Sequence, residues 1–109
     1  MYLIIDFSKN FDLYSNKILE IDYKNISNEK NGEIWNNENF NANLPMKELL
    51  SFIIIDKQNK SPIGYNICSQ KKETIHIHRF CIDKEYQNKG FGKILLDNII
   101  NNMKKYEFF

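Results

Sequence analysis

The side chains with the most chemistry in this chain fall between positions 74 and 93. His76, His78 and Cys81 sit in an otherwise apolar and β-branched run, Thr74 to Ile82, and Gln87-Asn88-Lys89-Gly90-Phe91-Gly92-Lys93 follows closely. That second stretch has the composition of a strand-to-helix loop that holds phosphate. Leu95 and Ile99, with Leu96, Ile100 and Met103 on the adjoining row, form the apolar stripe of a helix that opens at the glycines and runs to about Lys105. The first turn of a helix presents unpaired N–H groups and about half a positive charge, so it attracts an anion without needing a basic side chain. Gly90 and Gly92 lack Cβ, which lets oxygens approach the main chain and tolerates positive φ. Lys89 and Lys93 add charge at the rim. A Gly-x-Gly ahead of a helix is also an ordinary turn, so the loop has to be weighed with its neighbours.

Two familiar phosphate motifs fail on these residues. A P-loop needs a glycine five positions earlier and Ser or Thr after the lysine, where this chain has Ile94. The dinucleotide fingerprint needs a third glycine where Leu95 stands. His76, His78 and Cys81 invite a zinc reading, but a regular strand points Cys81 away from both histidines and only Cys68 is near enough to be a fourth ligand, so no metal is expected. Nothing in the sequence indicates a lowered thiol pKa at Cys81. Strand alternation places His76, His78, Phe80 and Ile82 on one face, and a histidine there is either a packed side chain or a base.

The elements that position these residues follow from periodicity and turn chemistry. Tyr2 to Asp6 reads as a strand, Ser8 to Asn10 as capping residues, and Phe11, Tyr14, Ile18 and Ile21 as the buried stripe of a helix over Phe11 to about Tyr23. Asn25 to Asn43 is polar and asparagine-rich, a loop with a short helix anchored by Ile34, Trp35 and Phe40. Leu49 to Asp56 and Ile63 to Ser69 make a hairpin through Gln58 to Pro62, and Thr74 to Ile82 is a third strand of this group. Tyr106 to Phe109 has the composition to begin another.

At 109 residues with 42% hydrophobic composition, the chain is one domain, residues 1–109, with a single core. The formal charge of +1 supplies no whole-molecule field toward nucleic acid or an anionic membrane. RNA binding through Phe80, Tyr86 and Lys89 lacks the basic surface that such sites join to aromatic platforms. The two cysteines lie in apolar runs, the N-terminus has no basic region followed by a long apolar one, and no window reaches the ~20 apolar residues of a membrane span. A cytoplasmic, reducing location is expected.

With the loop placed after three strands, the chain resembles the GNAT family of acetyl-CoA-dependent N-acetyltransferases. Gln87-x-x-Gly90-x-Gly92 matches the family's pyrophosphate motif, Gln/Arg-x-x-Gly-x-Gly/Ala, between its fourth strand and third helix. The run from His78 to Lys93 is similar to bacterial members that include polyamine acetyltransferases. The resemblance implies an α/β (α+β) fold with a mixed, mostly antiparallel sheet and helices on both sides. It implies acetyl-CoA as acetyl donor, held by Gln87, Asn88, Lys89, Gly90, Phe91, Gly92 and Lys93, with pantetheine along Phe80, Cys81 and Ile82. It further implies attack of a primary amine of a small molecule or peptide on the thioester, with His78 falling where some relatives carry the group that relays the proton.

Family members continue past the third helix with a strand, a helix and a closing hairpin, so the resemblance makes this chain the N-terminal portion of the fold, truncated after the third helix. The absent part carries the tyrosine that usually protonates the departing thiolate. The fourth strand is then left as an edge able to pair with another chain in a homo-oligomer. Two readings stand side by side: an acetyltransferase, and a non-catalytic CoA-binding or assembly module. Glu20, Asp22, Glu33 and Glu38 flank the amine side, which suits a cationic acceptor and equally a solvated surface.

Overall fold

A computed structural model describes residues 1–27, 29 and 32–106. Strand β1 (Tyr2–Asp6) runs straight into helix α1 (Phe7–Ile26) with no linker. Asp6 is still extended, at φ −63° and ψ 135°, and its carboxylate accepts from the Lys9 N–H at 2.7 Å. A strand residue thus doubles as the N-cap, and the helix starts four residues before Phe11, with Ser8 to Asn10 inside it rather than capping it. Phe7, Phe11, Ile18 and Ile21 are buried on one stripe, each such side chain contributing roughly 1.5–3 kcal/mol of transfer free energy.

The asparagine-rich stretch contains helix α2 (Asn37–Asn41), closed at its start by a reciprocal box. Asn39 N–H donates to the Asn36 side chain at 3.0 Å, and Asn36 N–H to the Asn39 side chain at 2.9 Å. The helix delivers Phe40, fully buried, among the rings of Phe7, Phe11, Trp35 and Tyr65.

Leu49 and Leu50, expected to begin a strand, lie instead in the short helix α3 (Lys47–Leu50). Ser51 explains the delay: its hydroxyl donates to the Cys68 carbonyl at 3.2 Å and accepts from the Cys68 N–H at 3.1 Å, occupying groups a ladder would use. Strand β2 (Phe52–Asp56) begins only after it. Strand β3 spans Pro62–Lys71, two residues beyond the expected end, and turns tightly through Lys72 and Glu73 into β4 (Thr74–Ile82), whose bounds are those read from sequence. A single 3-10 turn (Lys84–Tyr86) leads to helix α4 (Phe91–Lys105). Tyr106 caps α4, so it starts no strand, and the remainder of that expected strand lies outside the described residues.

The strands form one sheet in the order β1-β2-β3-β4, every neighbouring pair antiparallel. Helix α1 covers one face, where Phe7, Phe11, Ile18 and Ile21 pack with Ile53, Tyr65, Ile67 and Cys81. Helix α4 covers the other, with Leu95 against Ile54 and Ile63 and Ile99 against Cys68. Strand β4 is an edge of the sheet. No helix among the described residues is long and apolar enough to cross a membrane.

Candidate active site

The loop between β4 and α4 is fixed before any ligand is considered. Gln87 turns its side-chain amide back to the Ile82 carbonyl at 2.9 Å, tying the loop to the last residue of the strand. Tyr86 donates to Asp56 at 2.8 Å and accepts from Asn59 at 3.2 Å, fastening the turn to the β2–β3 connection, while its ring meets Phe91 edge-on at 5.9 Å. Asn88 and Gly90 both hold left-handed backbone, at φ 64° and 88°. Only Gly90 of the two glycines needs that freedom.

Gly90 is the N-cap of α4 and has no side chain to cap with, and the first turn carries no acidic residue. The N–H groups of Gly90, Phe91, Gly92 and Lys93 find no acceptor among the described residues. Four convergent donors at a helix start make an anion cradle. Beside them lies a cavity of about 330 Å³ lined by Asn25, Phe80, Cys81, Ile82, Tyr86, Gln87, Asn88, Phe91 and Gly92. A Cβ on Gly92 would meet only the Phe80 ring, at 3.9 Å, so packing within the chain does not require glycine there. The rim lysines are turned elsewhere: Lys93 pairs with Asp97 at 2.7 Å and the Lys89 ammonium lies 5.7 Å from the Tyr86 ring centre.

A second cavity of about 320 Å³ shares Asn25, Phe80 and Cys81 with the first and is lined as well by Ile26, Glu29, Ile77, His78 and Arg79. Here the expected alternation breaks. Ile67 pairs with Arg79 but Cys68 pairs with Ile77, so His78 is an extra residue, a bulge in β4. Ile75 packs with Ile99 and Met103, and Ile82 with Leu95, so both face α4 although seven positions apart. Arg79 and Cys81 reach Asp22 of α1, and His78 bonds Ser69 on that same side. The single-face grouping of His76, His78, Phe80 and Ile82 is therefore overturned: the histidines face α1 with Arg79 and Cys81, while Phe80 and Ile82 face α4. Cys81 does share the histidines' face, yet no group of three His, Cys, Asp or Glu among the described residues is arranged to hold a metal ion.

His78 Nε2 lies 2.6 Å from Ser69 Oγ, and its ring stands 4.3 Å from that of His76. Burial, then the neighbouring His76 and the Lys47 ammonium, hold its pKa below the usual 6.5, which keeps the imidazole neutral near pH 7. Cys81 is a core residue whose thiol burial pushes up to about 11, so only its main chain is offered to a ligand.

Behind the site lies a cluster that periodicity did not reveal. Asp22, buried on α1, accepts from the Tyr65 hydroxyl at 2.6 Å and pairs with Arg79 Nε at 3.2 Å, outside hydrogen-bond angle. Burial first, with Cys81 and Asp22 adding to it, drives the Tyr65 phenol far above its usual range. The one available signal was Asp22's position, four residues after Ile18 on the apolar stripe, where a carboxylate must find a partner. Glu20, by contrast, is exposed and paired with Lys24 at 2.9 Å.

The model of the GNAT acetyltransferase family matches residues 19–108. The chain belongs to that family. The resemblance extends to three dimensions. The ribosomal-protein-S18-alanine N-acetyltransferase of Escherichia coli superposes with a TM-score of 0.71 at 18% identity over 97% of this chain and 61% of its own. A GNAT-family acetyltransferase of Staphylococcus aureus Mu50 gives 0.77 at 20% identity over 99% and 69%. The PaiA N-acetyltransferase of Thermoplasma acidophilum, solved with coenzyme A, gives 0.68 at 19% over 99% and 75%. At these identities the likeness is one of fold. This GNAT chain thus spans 61% to 75% of the length of the three. No curated protein matches its sequence.

Proposed function

We propose that this chain binds acetyl-CoA along β4 and the following loop and transfers the acetyl group to a primary amine of a small molecule or peptide, with residues 1–109 acting as one domain. The observation that carries the reading is the set of four N–H groups at the start of α4 without an acceptor among the described residues, beside the first of two cavities that share Asn25, Phe80 and Cys81. The amides of Gly90 to Lys93 receive the pyrophosphate, and Gln87, Asn88 and Lys89 shape the loop that presents them. The main chain of Phe80, Cys81 and Ile82 lines the path of pantetheine, and an N–H of this strand donates to the thioester oxygen, a contact typically worth about 3 kcal/mol of barrier.

The acceptor amine approaches from the α1 side of the strand, where His78 stands on the bulge. Once deprotonated, its nitrogen attacks the thioester carbon, the C–N bond forms as the C–S bond breaks, and the second proton shed by the new amide nitrogen passes, directly or through solvent, to the departing coenzyme A sulfur. His78 takes the ammonium proton, directly or through a water. In the tautomer whose Nε2 donates to Ser69 Oγ, Nδ1 carries the lone pair that accepts it. Holding amine and thioester in line supplies much of the remaining acceleration.

Calorimetric titration with acetyl-CoA, followed by thiol release over a panel of a diamine, an aminoglycoside and a peptide with a free N-terminus, tests this. Saturable binding with thiol release for at least one amine is expected. Absence of acetyl-CoA binding overturns the reading, and binding without release over the whole panel assigns a non-catalytic CoA-binding module.

A further inference from the structure

Lys47 is a buried cation without a counter-charge. It lies in helix α3 and is 6% exposed. Its ammonium donates to the Phe40 carbonyl and, at 2.9 Å, to the Ala42 carbonyl, and stands 5.7 Å from the centre of the Phe7 ring. The ion pairs among the described residues engage Lys17, Lys24, Arg79 and Lys93, and no carboxylate pairs with Lys47. An ammonium has three donors, so one N–H is left over after the two carbonyls. A charge taken out of water with no opposite charge beside it is costly, and a fold that keeps one there either holds the amine neutral or takes an anion from outside. Burial accordingly pushes the Lys47 pKa below its usual range.

Lys47 lines a cavity of about 210 Å³ that shares no residue with either cavity beside β4. Ser8, Asn41 and Asn43 bring side-chain donors to it, and none of these three side chains has a hydrogen-bond partner among the described residues. Phe7 and Ser8 are the first two residues of the 20-residue helix α1, so the positive end of its dipole lies at the same space. Phe7, Phe11 and Phe40 give the cavity an apolar wall.

We propose that this cavity is a second binding site, for a small aliphatic monocarboxylate, with the carboxylate on Lys47 and the alkyl chain against the phenylalanine rings. One ammonium matches one negative charge. Glu48 lines the same cavity, and its exposed carboxylate disfavours a dianion such as phosphate. The aromatic wall offers nothing to a bare inorganic ion. The volume falls under the roughly 300–1,000 Å³ usual for drug-sized ligands, which limits the occupant to a few carbons. The proposal is independent of the acetyl-transfer reading.

Butyrate is the probe, with chloride as the bare monoanion and 1-butanol as the uncharged chain, all at matched ionic strength. Butyrate should bind the native chain saturably in calorimetry and raise its melting temperature, with chloride and butanol each about tenfold weaker or more. Lys47→Met keeps the stem and leaves no carboxylate stranded, so the variant folds, and its butyrate affinity should fall about tenfold or more. Glu48→Gln alters an exposed side chain and should tighten butyrate about twofold or more, a sign that general loss of structure does not produce. Gly90→Ala should leave butyrate affinity unmoved, because the amides at the start of α4 belong to another site.

No saturable butyrate binding to the native chain overturns the proposal, as does chloride or butanol binding as tightly as butyrate. Native affinity in Lys47→Met overturns it too. Unchanged or weaker affinity in Glu48→Gln does the same, whether or not Lys47→Met folds. Loss of butyrate binding in Gly90→Ala would place the carboxylate at the start of α4 and also overturn the assignment.

Discussion

The two glycines of the loop should respond to the same substitution with opposite signs. Gly90 sits at φ 88° and ψ 3°, with nothing within 4 Å of where a Cβ would stand. Gly90→Ala therefore adds no clash, and its cost is that of the left-handed backbone, about 1–2 kcal/mol. Gly92 is the second residue of α4, without positive φ, and its Cβ would make an ordinary contact of 3.9 Å with Phe80. Alanine there gains helix propensity, about 0.5 kcal/mol once the full interior value near 1 is reduced for a terminal turn. The variants then differ by about 2 kcal/mol, which for a domain of this size separates their melting temperatures by roughly 8–16 °C. Scanning calorimetry of the ligand-free chains reads this directly. Acetyl-CoA affinity should fall about tenfold or more in Gly90→Ala, because either the methyl stands before the cradle or the loop relaxes and one charge-assisted bond of about 1.5–3 kcal/mol is lost. Gly92→Ala should retain affinity, since the motif this chain resembles admits alanine there. Melting shifts of the same sign, or native affinity in Gly90→Ala, would refute the reasoning.

His78→Ala should lower kcat about 10²-fold with acetyl-CoA affinity unmoved; native kcat/KM should rise with pH through the lowered pKa of His78, and a variant that keeps this limb would exclude the base. Asp22→Ala leaves Arg79 buried without its counter-charge and should cost about 3–5 kcal/mol in urea unfolding; a loss under about 1 kcal/mol would show that the pair is not buried as described. Alkaline stability follows from Cys81 and Tyr65, both held protonated by the fold. Each binds its proton more tightly folded than unfolded, so its contribution is complete below the unfolded pKa and is lost as pH rises. For the thiol, moving from 9.0 to about 11 makes that loss about 2–3 kcal/mol between those pH values, and an unfolding midpoint equal at pH 8 and 10.5 would contradict it.

The strand-loop-helix unit that the proposal gives to the cofactor was legible because it is local. Gln87, Gly90, Gly92 and the stripe from Leu95 all lie within one strand-loop-helix unit, and β4 carried β-branched residues at the right length. Two boundaries shifted where a polar side chain bonded out of pattern: Asp6 capped a helix from within a strand, and Ser51 held Leu50 out of one. The α1 side of β4 was far less legible. Its geometry depends on Asp22 meeting Arg79 across 57 positions and on an unpaired residue in β4, which period-2 reasoning cannot register because every local propensity there still favours strand. His76 does share the face of His78, but Phe80 and Ile82, expected on that face, lie on the other.

The extra residue at His78 acts as a reading-frame change in space. On the near side of it, even-numbered positions look toward α1; beyond it, odd-numbered ones do. A strand that would otherwise show one chemistry to each helix thus presents imidazoles and guanidinium to one compartment and keeps Phe80 and Ile82 for the other. Insertion or deletion of a single residue between Thr74 and His78 would exchange the two registers upstream of the loop while leaving the loop itself intact. Length variation in this short segment would therefore change which side chains β4 shows to α1 while sparing the loop at Gly90.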